Sequence, residues 1–195
     1  MELLTGSGLA LSAGLNAYVP MLVMGLLARF TTLVTLPPSW VWLTNDWVLI
    51  VLAVLLVIEV VADKVPAVDH VNDILQTLVR PTAGGIVFAA GSGAVTPATT
   101  DPGEFFTSAA MVPFVCGAIL ALLTHLGKAG VRAGVNLSTA GVGAPVASTV
   151  EDISAVALTA LALVLPVLVL VFVAAAVVVV IQMRRKRLRR HRLVS

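Results

Sequence analysis

The residues best suited to chemistry begin at Glu59, near the end of an apolar run. Glu59 and Asp63 are four residues apart and therefore share a helix face. A charged group inside an apolar helix is costly unless it is paired or reached by water. Glu59 is therefore predicted to pair with Lys64, to be a protonated carboxyl, or to have a functional role.

A second set of polar residues follows Pro66 at helical spacing. This polar stripe consists of Asp69, Asp73, Gln76 and Arg80. Apolar residues occupy the opposite face, so the pattern predicts a short amphipathic helix. We expect this helix to lie at the cytoplasmic interface with its polar side in water, or to fold back against the bundle.

A basic group lies further along the chain, at His125, Lys128 and Arg132. Lys128 and Arg132 are four residues apart, so one helix face presents two cations to a phosphate or a carboxylate. Anchoring to anionic lipid head groups is an equal alternative. Asn136 continues the group. Gly127 and Lys128 are followed by alanine, so the phosphate-binding loop pattern is absent.

Two acidic residues, Glu151 and Asp152, open the last long apolar segment. Ser148 and Glu151 fit a capping box, in which the hydroxyl and the carboxylate satisfy free backbone N–H groups. Asp152 has no part in that motif. The two carboxylates are also suited to binding a cation or a proton, or to pairing with Lys128 or Arg132.

Two segments combine small residues with a proline inside a predicted span, around Asn16 and Pro20 and around Gly141 and Pro145. Interrupted helices of this kind form binding sites in many transporters. Ordinary helix packing through small residues is the alternative. The same packing explains Gly85, Ala89 and Gly93 at four-residue intervals, and Gly130 with Gly134.

Catalysis has little support, because the histidines at 70, 125 and 191 are scattered and no catalytic motif occurs. The single cysteine, Cys116, lies in an apolar run and is predicted to be a small core residue. A metal site at His70, with Asp69 and Asp73, is conceivable but unspecific. We therefore expect no enzymatic activity, no metal and no cofactor.

The elements that position these residues follow from composition. Of 195 residues, 59% are hydrophobic and 11% are charged, and mean hydropathy is +1.06. A chain with so few charges cannot cover itself with a hydrated surface, which nearly excludes a water-soluble enzyme. The sequence predicts a membrane-embedded helical domain over 1–183 and a basic tail over 184–195.

The fold is predicted to be an all-α membrane bundle with four full spans. The full spans are 6–28, 47–62, 105–124 and 153–181. Two further segments, 82–98 and 133–150, are short or polar and either cross the membrane or re-enter it. The segment 153–181 exceeds the bilayer core, so it must tilt, kink at Pro166 or protrude.

The arginine-rich tail predicts the orientation, because clustered Lys and Arg beside a span stay cytoplasmic. The protein is expected in the inner membrane, with both termini on the cytoplasmic side. Trp40, Trp42 and Trp47 are predicted to form an interfacial aromatic belt. Expected partners are membrane lipids, with anionic head groups at the tail; a homo-oligomer is permitted and nucleic acid is not expected.

Five motifs stand out along the chain: 14–20 (GLNAYVP), 62–69 (ADKVPxxD), 80–84 (RPxxG), 125–132 (HxxKxxxR) and 148–152 (SxxED). Together they resemble the DUF4126 membrane family, a bacterial-type domain of unknown function. The resemblance implies a polytopic helical protein and no established activity. The segment around Asn136 departs from the family's Asn-x-Ser-Pro-Glu-Pro-like run, and the tail lies outside the resemblance.

The function expected from these features is transport of, or a channel for, a small ion, small solute or lipid head group. The candidate pathway residues are Glu59, Asp63, Lys64, Asp69, Asp73, Arg80, His125, Lys128, Arg132, Asn136, Glu151 and Asp152. The alternative is a non-transporting scaffold or lipid-binding assembly factor in which these charges pair. A water-accessible, charge-lined cavity would favour transport, and a dry core with every acid paired would favour the scaffold.

Overall fold

The computed structural model describes residues 1–64, 66–93, 111–139 and 142–169, together with 171, 174 and 182; for 66–71 it describes the backbone alone. Most of these residues are helical, and none of them lies in a strand. The elements are α1 (Glu2–Leu15), α2 (Tyr18–Phe30), a 3-10 helix (Pro38–Thr44), α3 (Asp46–Ala62), α4 (Pro66–Gly91), α5 (Met111–Thr139) and α6 (Ala144–Val164). The predicted all-α class is thereby confirmed.

Helix α1 lies at the centre and packs against α4, α5 and α6. Its buried residues are small apart from Leu9, which lets the neighbouring helices approach closely. A Cβ on Gly8 would lie 2.6 Å from the Ala162 side chain of α6. Ser12 Oγ joins the same two helices, since it donates to the Ala155 carbonyl oxygen at 2.8 Å.

The segment 6–28 forms two helices rather than one, with a break at Asn16 and Ala17. Asn16 has an extended backbone, with φ of −147° and ψ of 118°. Its Oδ1 accepts hydrogen bonds from the backbone N–H groups of Tyr18 and Val19 at 3.1 and 3.2 Å. Pro20 lies in the first turn of α2, where its missing N–H has no helical partner to lose.

Helix α4 unites two segments that the sequence predicts separately, the amphipathic helix and the segment 82–98. It runs continuously over Pro66–Gly91 and contains Pro81, and residues 94–98 lie outside the described part. Gln76 and Arg80 are buried, at 3% and 0% exposed. Of the two predicted alternatives, an interfacial helix with its polar side in water is therefore wrong, because Gln76 and Arg80 face the interior. The helix packs against the bundle, as the other alternative predicts.

The segment 133–150 is likewise not a separate span. Its first part continues α5, and its last part begins α6. Pro145 lies in the first turn of α6, whereas Gly141 is outside the described residues. Helix α6 ends at Val164 because a residue preceding proline, here Leu165, disfavours the helical conformation.

Within the described part of the chain, two helices, α5 and α6, are long and apolar enough to cross a membrane. The 3-10 helix and α3 together form a third candidate, bent by 64° at the break between them. These assignments rest on length and composition, and they are compatible with a membrane protein. They do not establish the four full spans that the sequence predicts.

Several smaller expectations are wrong. Trp40 is 7% exposed and packs in the core, so it is not part of an interfacial belt with the exposed Trp42 and Trp47. Cys116 is exposed, because it lies on the outer face of α5. Gly130 is not at a helix contact, since a Cβ there would meet nothing within 4 Å.

Candidate functional site

The predicted ionisable residues converge in the interior where α3, α4, α5 and α6 meet. We call this group the central charge cluster. Its members are Glu59, Asp63, Asp73, Arg80, Lys128, Arg132 and Glu151. Five of these side chains are at most 3% exposed, while those of Glu151 and Asp73 are 12% and 22% exposed.

Arg80 is the most deeply buried member, with a side chain 0% exposed. Its Nη2 donates to Glu59 Oε1 at 2.8 Å and lies 3.9 Å from Asp63 Oδ2. Glu59 therefore pairs with Arg80. The alternative that predicted its pairing with Lys64 is wrong. The partner was missed because it comes from another helix, 21 residues later in the sequence.

Asp63 connects α3 to both cations of α5. Its Oδ2 accepts from Lys128 Nζ at 3.3 Å and from Arg132 Nη2 at 3.1 Å, while its Oδ1 accepts from Asn72 Nδ2 at 2.7 Å. Burial opposes the charged form of this carboxyl, but Lys128 and Arg132 outweigh burial and hold its pKa below the usual range. Asp63 is therefore ionised in the folded protein.

Glu151 of α6 contacts the same two cations from the other side. Its Oε2 lies 3.1 Å from Lys128 Nζ and 2.8 Å from Arg132 Nη2. The predicted capping box is wrong, because α6 begins at Ala144 and Ser148 therefore lies inside the helix. The expectation that Lys128 and Arg132 anchor to lipid head groups is also wrong, since both are buried against carboxylates.

The broken end of α1 adds backbone oxygens to the cluster. Lys128 Nζ donates to the Leu15 carbonyl oxygen at 3.1 Å, and Arg80 Nη1 lies 3.5 Å from that of Gly14. The last carbonyls of a helix lack helical partners and carry partial negative charge. Cations at this end therefore stabilise α1 where it stops.

Lys64 and Asp152 form a neighbouring pair outside the central charge cluster. Lys64 Nζ lies 3.6 Å from Asp152 Oδ2, and the side chains are 38% and 20% exposed. Asp152 Oδ1 also accepts from Asn16 Nδ2 at 3.1 Å. Asp152 therefore ties α6 to the break between α1 and α2, rather than pairing with Lys128 or Arg132.

The contacts of His125 define its tautomer. Arg80 has only donors, so His125 Nδ1 must accept from Arg80 Nη1 at 2.9 Å. Thr77 Oγ1 donates to the Asp73 carbonyl oxygen at 2.9 Å, and it therefore accepts from His125 Nε2 at 3.1 Å. His125 is thus neutral, with its proton on Nε2.

Several buried polar atoms of this region have no hydrogen-bond partner. They are Glu59 Oε2, Asp73 Oδ1, Gln76 Oε1, Arg80 Nε, Asn136 Oδ1 and Ser148 Oγ. Buried polar groups are nearly always paired in folded proteins. The cluster therefore has a base within 4.0 Å of each of its four acids, although it holds only three bases, and its hydrogen bonding is incomplete.

The comparison with family models settles the family. The model of a domain of unknown function, DUF4126, matches residues 3–186. The chain belongs to the DUF4126 family. No curated protein and no solved structure matches it. The family assignment covers every member of the central charge cluster and supplies no activity for it.

The sequence-predicted site residues of this DUF4126 chain fall into three groups. Most lie in the central charge cluster or beside it, as described for His125, Lys64 and Asp152. Asn136 is only partly buried and makes no described contact with the cluster. The side chains of Asp69 and His70 lie outside the described part, as do Gly141 and the tail 184–195.

Two contributors, Asn72 and Thr77, were not recognised as site residues, and Gln76 was assigned only to the polar stripe. The spacing held one signal: Asn72, Gln76 and Arg80 recur every four residues, which places them on one face of α4. Among the described side chains, no group of His, Cys, Asp and Glu is arranged to hold a metal ion.

The described residues line two shallow cavities that border the interior. One, of about 440 Å³, is mainly apolar and has Asn16 and Asp152 in its wall. The other, of about 310 Å³, lies between α2 and α4 and is lined by apolar residues and Thr82. Neither is lined by members of the central charge cluster, although the first reaches the Lys64–Asp152 pair through Asp152.

Proposed function

We propose that this DUF4126 protein is an integral membrane protein that moves a small ion or small solute across the membrane. The observation that supports this is the placement of the central charge cluster at the break between α1 and α2. Buried charges in an apolar fold are costly and mark pathways in membrane proteins. Broken helices that end at such a site are typical of secondary transporters.

The buried polar atoms without hydrogen-bond partners support a transport site rather than a permanent structural network. A permanent structural network is expected to satisfy its polar groups, because each unsatisfied buried group costs about 1–3 kcal/mol. Glu59 Oε2, Gln76 Oε1 and Arg80 Nε are buried without partners. Such groups can bind a transported species or exchange partners as the protein changes conformation.

A non-transporting scaffold is the second candidate, and one observation favours it. Each acid of the central charge cluster lies within 4.0 Å of a base in the same cluster. The two described cavities are also mainly apolar. In this alternative the ion pairs fix the helix arrangement, and the protein acts by binding lipids or other proteins.

The proposal carries further expectations with it. The protein lies in the inner membrane with both termini in the cytoplasm, four full spans and, at its basic tail, contacts with anionic lipid. A homo-oligomer is compatible with transport. We expect no catalytic activity and no cofactor, and the substrate could equally be a lipid head group.

Purified protein in lipid vesicles tests the proposal. Fluxes of Na⁺, K⁺, H⁺, Cl⁻, a small polyol and glycerol phosphate are compared with those of protein-free vesicles. We expect the wild-type protein to accelerate at least one flux, and Glu59→Gln to alter it without unfolding the protein. Asp46→Asn is the matched control, because Asp46 is an exposed acid paired with Arg29.

The same measurement separates the two candidates. If no solute moves faster through vesicles containing folded wild-type protein, transport is contradicted and the scaffold is retained. If Glu59→Gln folds and leaves the accelerated flux unchanged, Glu59 has no part in the mechanism.

A further inference from the structure

Glu59 is held by one oxygen only. Oε1 accepts from Arg80 Nη2 at 2.8 Å, while Oε2 has no partner and the residue is 1% exposed. An ionised carboxylate has about four acceptor sites, and burial without partners disfavours its charged form. A proton on Oε2 would turn this unsatisfied acceptor into a donor.

One further unsatisfied group of this region, Gln76 Oε1, is complementary to such a proton. Gln76 shares a face of α4 with Arg80, and its Oε1 is a buried acceptor without a partner. A protonated Glu59 would supply a donor to a region where Gln76 offers an acceptor, and it would no longer require Arg80 as a counterion.

Arg80 has a second carboxylate within reach. The same Nη2 that contacts Glu59 lies 3.9 Å from Asp63 Oδ2, about 1 Å beyond hydrogen-bond distance. Its Nη1 is held by the acceptor Nδ1 of His125. When the Arg80 guanidinium is released from Glu59, its Nη2 therefore needs only a short movement to reach Asp63. The hydrogen bond between Nη1 and His125 is kept during this movement.

The charged and titratable groups that face Glu59 come from every element packed around it. They are Tyr18 of α2, Asp63 after α3, Arg80 of α4 and Lys128 of α5; His125 of α5 acts through Arg80, and Glu151 of α6 acts through Lys128. Asp63, Lys128 and Glu151 are engaged with one another. Two cluster carboxylates, Glu59 and Asp73, contact one cation through one oxygen. Glu59 is the more buried of the two, and it alone lies at hydrogen-bond distance from its cation.

We propose that Glu59 is a reversible proton-binding site and that transport is coupled to protons. The inference rests on the proposed function. A proton from water on one side of the membrane adds to Glu59 Oε2, the Glu59–Arg80 ion pair is lost, and Arg80 keeps its charge and moves to Asp63. Release of the proton to water on the other side restores the ion pair.

Infrared difference spectroscopy tests proton binding directly. Wild-type protein in lipid is titrated from alkaline to acidic pH, and the carbonyl band of a protonated carboxylic acid is followed. We expect a component that is missing in Glu59→Gln, which has no carboxyl, and retained in Asp46→Asn. Glu59→Asp keeps a carboxyl at the site, so it should shift this component rather than remove it.

Vesicle flux then tests the coupling. With a pH gradient imposed, wild-type protein is expected to move protons, and Glu59→Gln is expected to fall to the rate of protein-free vesicles. Tryptophan fluorescence melting shows whether each variant is folded. If Glu59→Gln does not fold, Glu59→Asp decides: an unshifted band and an unchanged pH dependence of flux overturn the proposal.

The outcomes distinguish this inference from the function on which it rests. Identical infrared titrations of wild type and folded Glu59→Gln overturn the proton site, whatever solute moves. A solute flux that is indifferent to the pH gradient overturns the coupling and leaves the proposed function in place. A Glu59 band without any flux overturns the proposed function, and the coupling with it.

Discussion

At the scale of single residues, the structure shows how an apolar fold tolerates buried charges. Each cation of the central charge cluster contacts at least one acid, and Asp63 and Glu151 both bind Lys128 and Arg132. Such pairing offsets desolvation without making the pair a large net source of stability. Removal of one partner, however, leaves a buried charge without a counterion and strongly destabilises the protein.

The first prediction concerns Asp63→Asn. This change leaves Lys128 and Arg132 short of one counterion, so we expect the free energy of unfolding to fall by about 3–5 kcal/mol. Asp46→Asn removes an exposed acid, whose side chain is 66% exposed, and should cost about 0–1 kcal/mol. Denaturant unfolding in detergent, followed by tryptophan fluorescence, measures both. Equal losses would contradict the role assigned to Asp63.

At the scale of elements, the fold depends on helices that pack closely together. The contact between α4 and α5 is the clearest example. A Cβ on Gly117 of α5 would overlap the Gly84 carbonyl oxygen and the Phe88 side chain of α4. Only glycine permits this backbone contact. The contact brings Arg80, one turn before Gly84, next to His125 of α5.

Gly117→Ala is therefore expected to separate α4 from α5 and to lower the midpoint of thermal unfolding. Gly127→Ala is the matched control in the same helix, because a Cβ there meets nothing within 4 Å. Alanine is the better helix former, so this change should stabilise by about 0.5–1 kcal/mol. Melting curves of both variants provide the test, and a stabilising Gly117→Ala would refute the close contact.

The break between α1 and α2 gives a second prediction at this scale. Asn16→Ala removes two hydrogen bonds to the start of α2 and one to Asp152, and we expect it to destabilise by about 2 kcal/mol. Asn45 caps α3 through its Oδ1 at 2.9 Å from Trp47 N, but it is exposed. Asn45→Ala should cost about 0.5–1 kcal/mol. Similar losses in chemical unfolding of the two variants would mean that Asp152 adds nothing.

At the scale of the whole molecule, polarity is inverted relative to a water-soluble protein. The interior holds the central charge cluster, whereas the outer faces of α3 and α5 carry large apolar side chains such as Ile50, Val54, Ile119 and Leu123. Exposed apolar surface of this extent indicates contact with lipid or with another protein.

Val54→Asp tests the outer face of α3. Val54 is 53% exposed near the middle of that helix, so a charge there should oppose membrane insertion by about 2.5–3.5 kcal/mol. Trp47, 76% exposed at the helix start, provides the control, because a charge near the interface is tolerated. Alkaline extraction of membranes should release far more Val54→Asp than Trp47→Asp, and equal retention would show that Val54 does not face lipid.

Much of the helical architecture could be predicted from the sequence, and the errors share a cause. Apolar runs identified most helices. From hydropathy, however, the residues of α4 were predicted to form two elements, an interfacial helix and a separate segment. One of the two predicted alternatives placed Gln76 and Arg80 in water, because they form a polar stripe on a helix, whereas both are buried. A stripe has the same sequence pattern whether it faces water or a buried set of opposite charges.

The sequence by itself determined the composition of the site: few ionisable residues, nearly balanced, in an apolar helical chain of the DUF4126 family. Only the tertiary structure decided which acid meets which base, since Glu59 pairs with Arg80 and Glu151 with Lys128 and Arg132 across different helices. The physical reason is that helical periodicity defines the face of a residue within its own helix. The packing of the small residues of α1, α4 and α5 determines which faces meet.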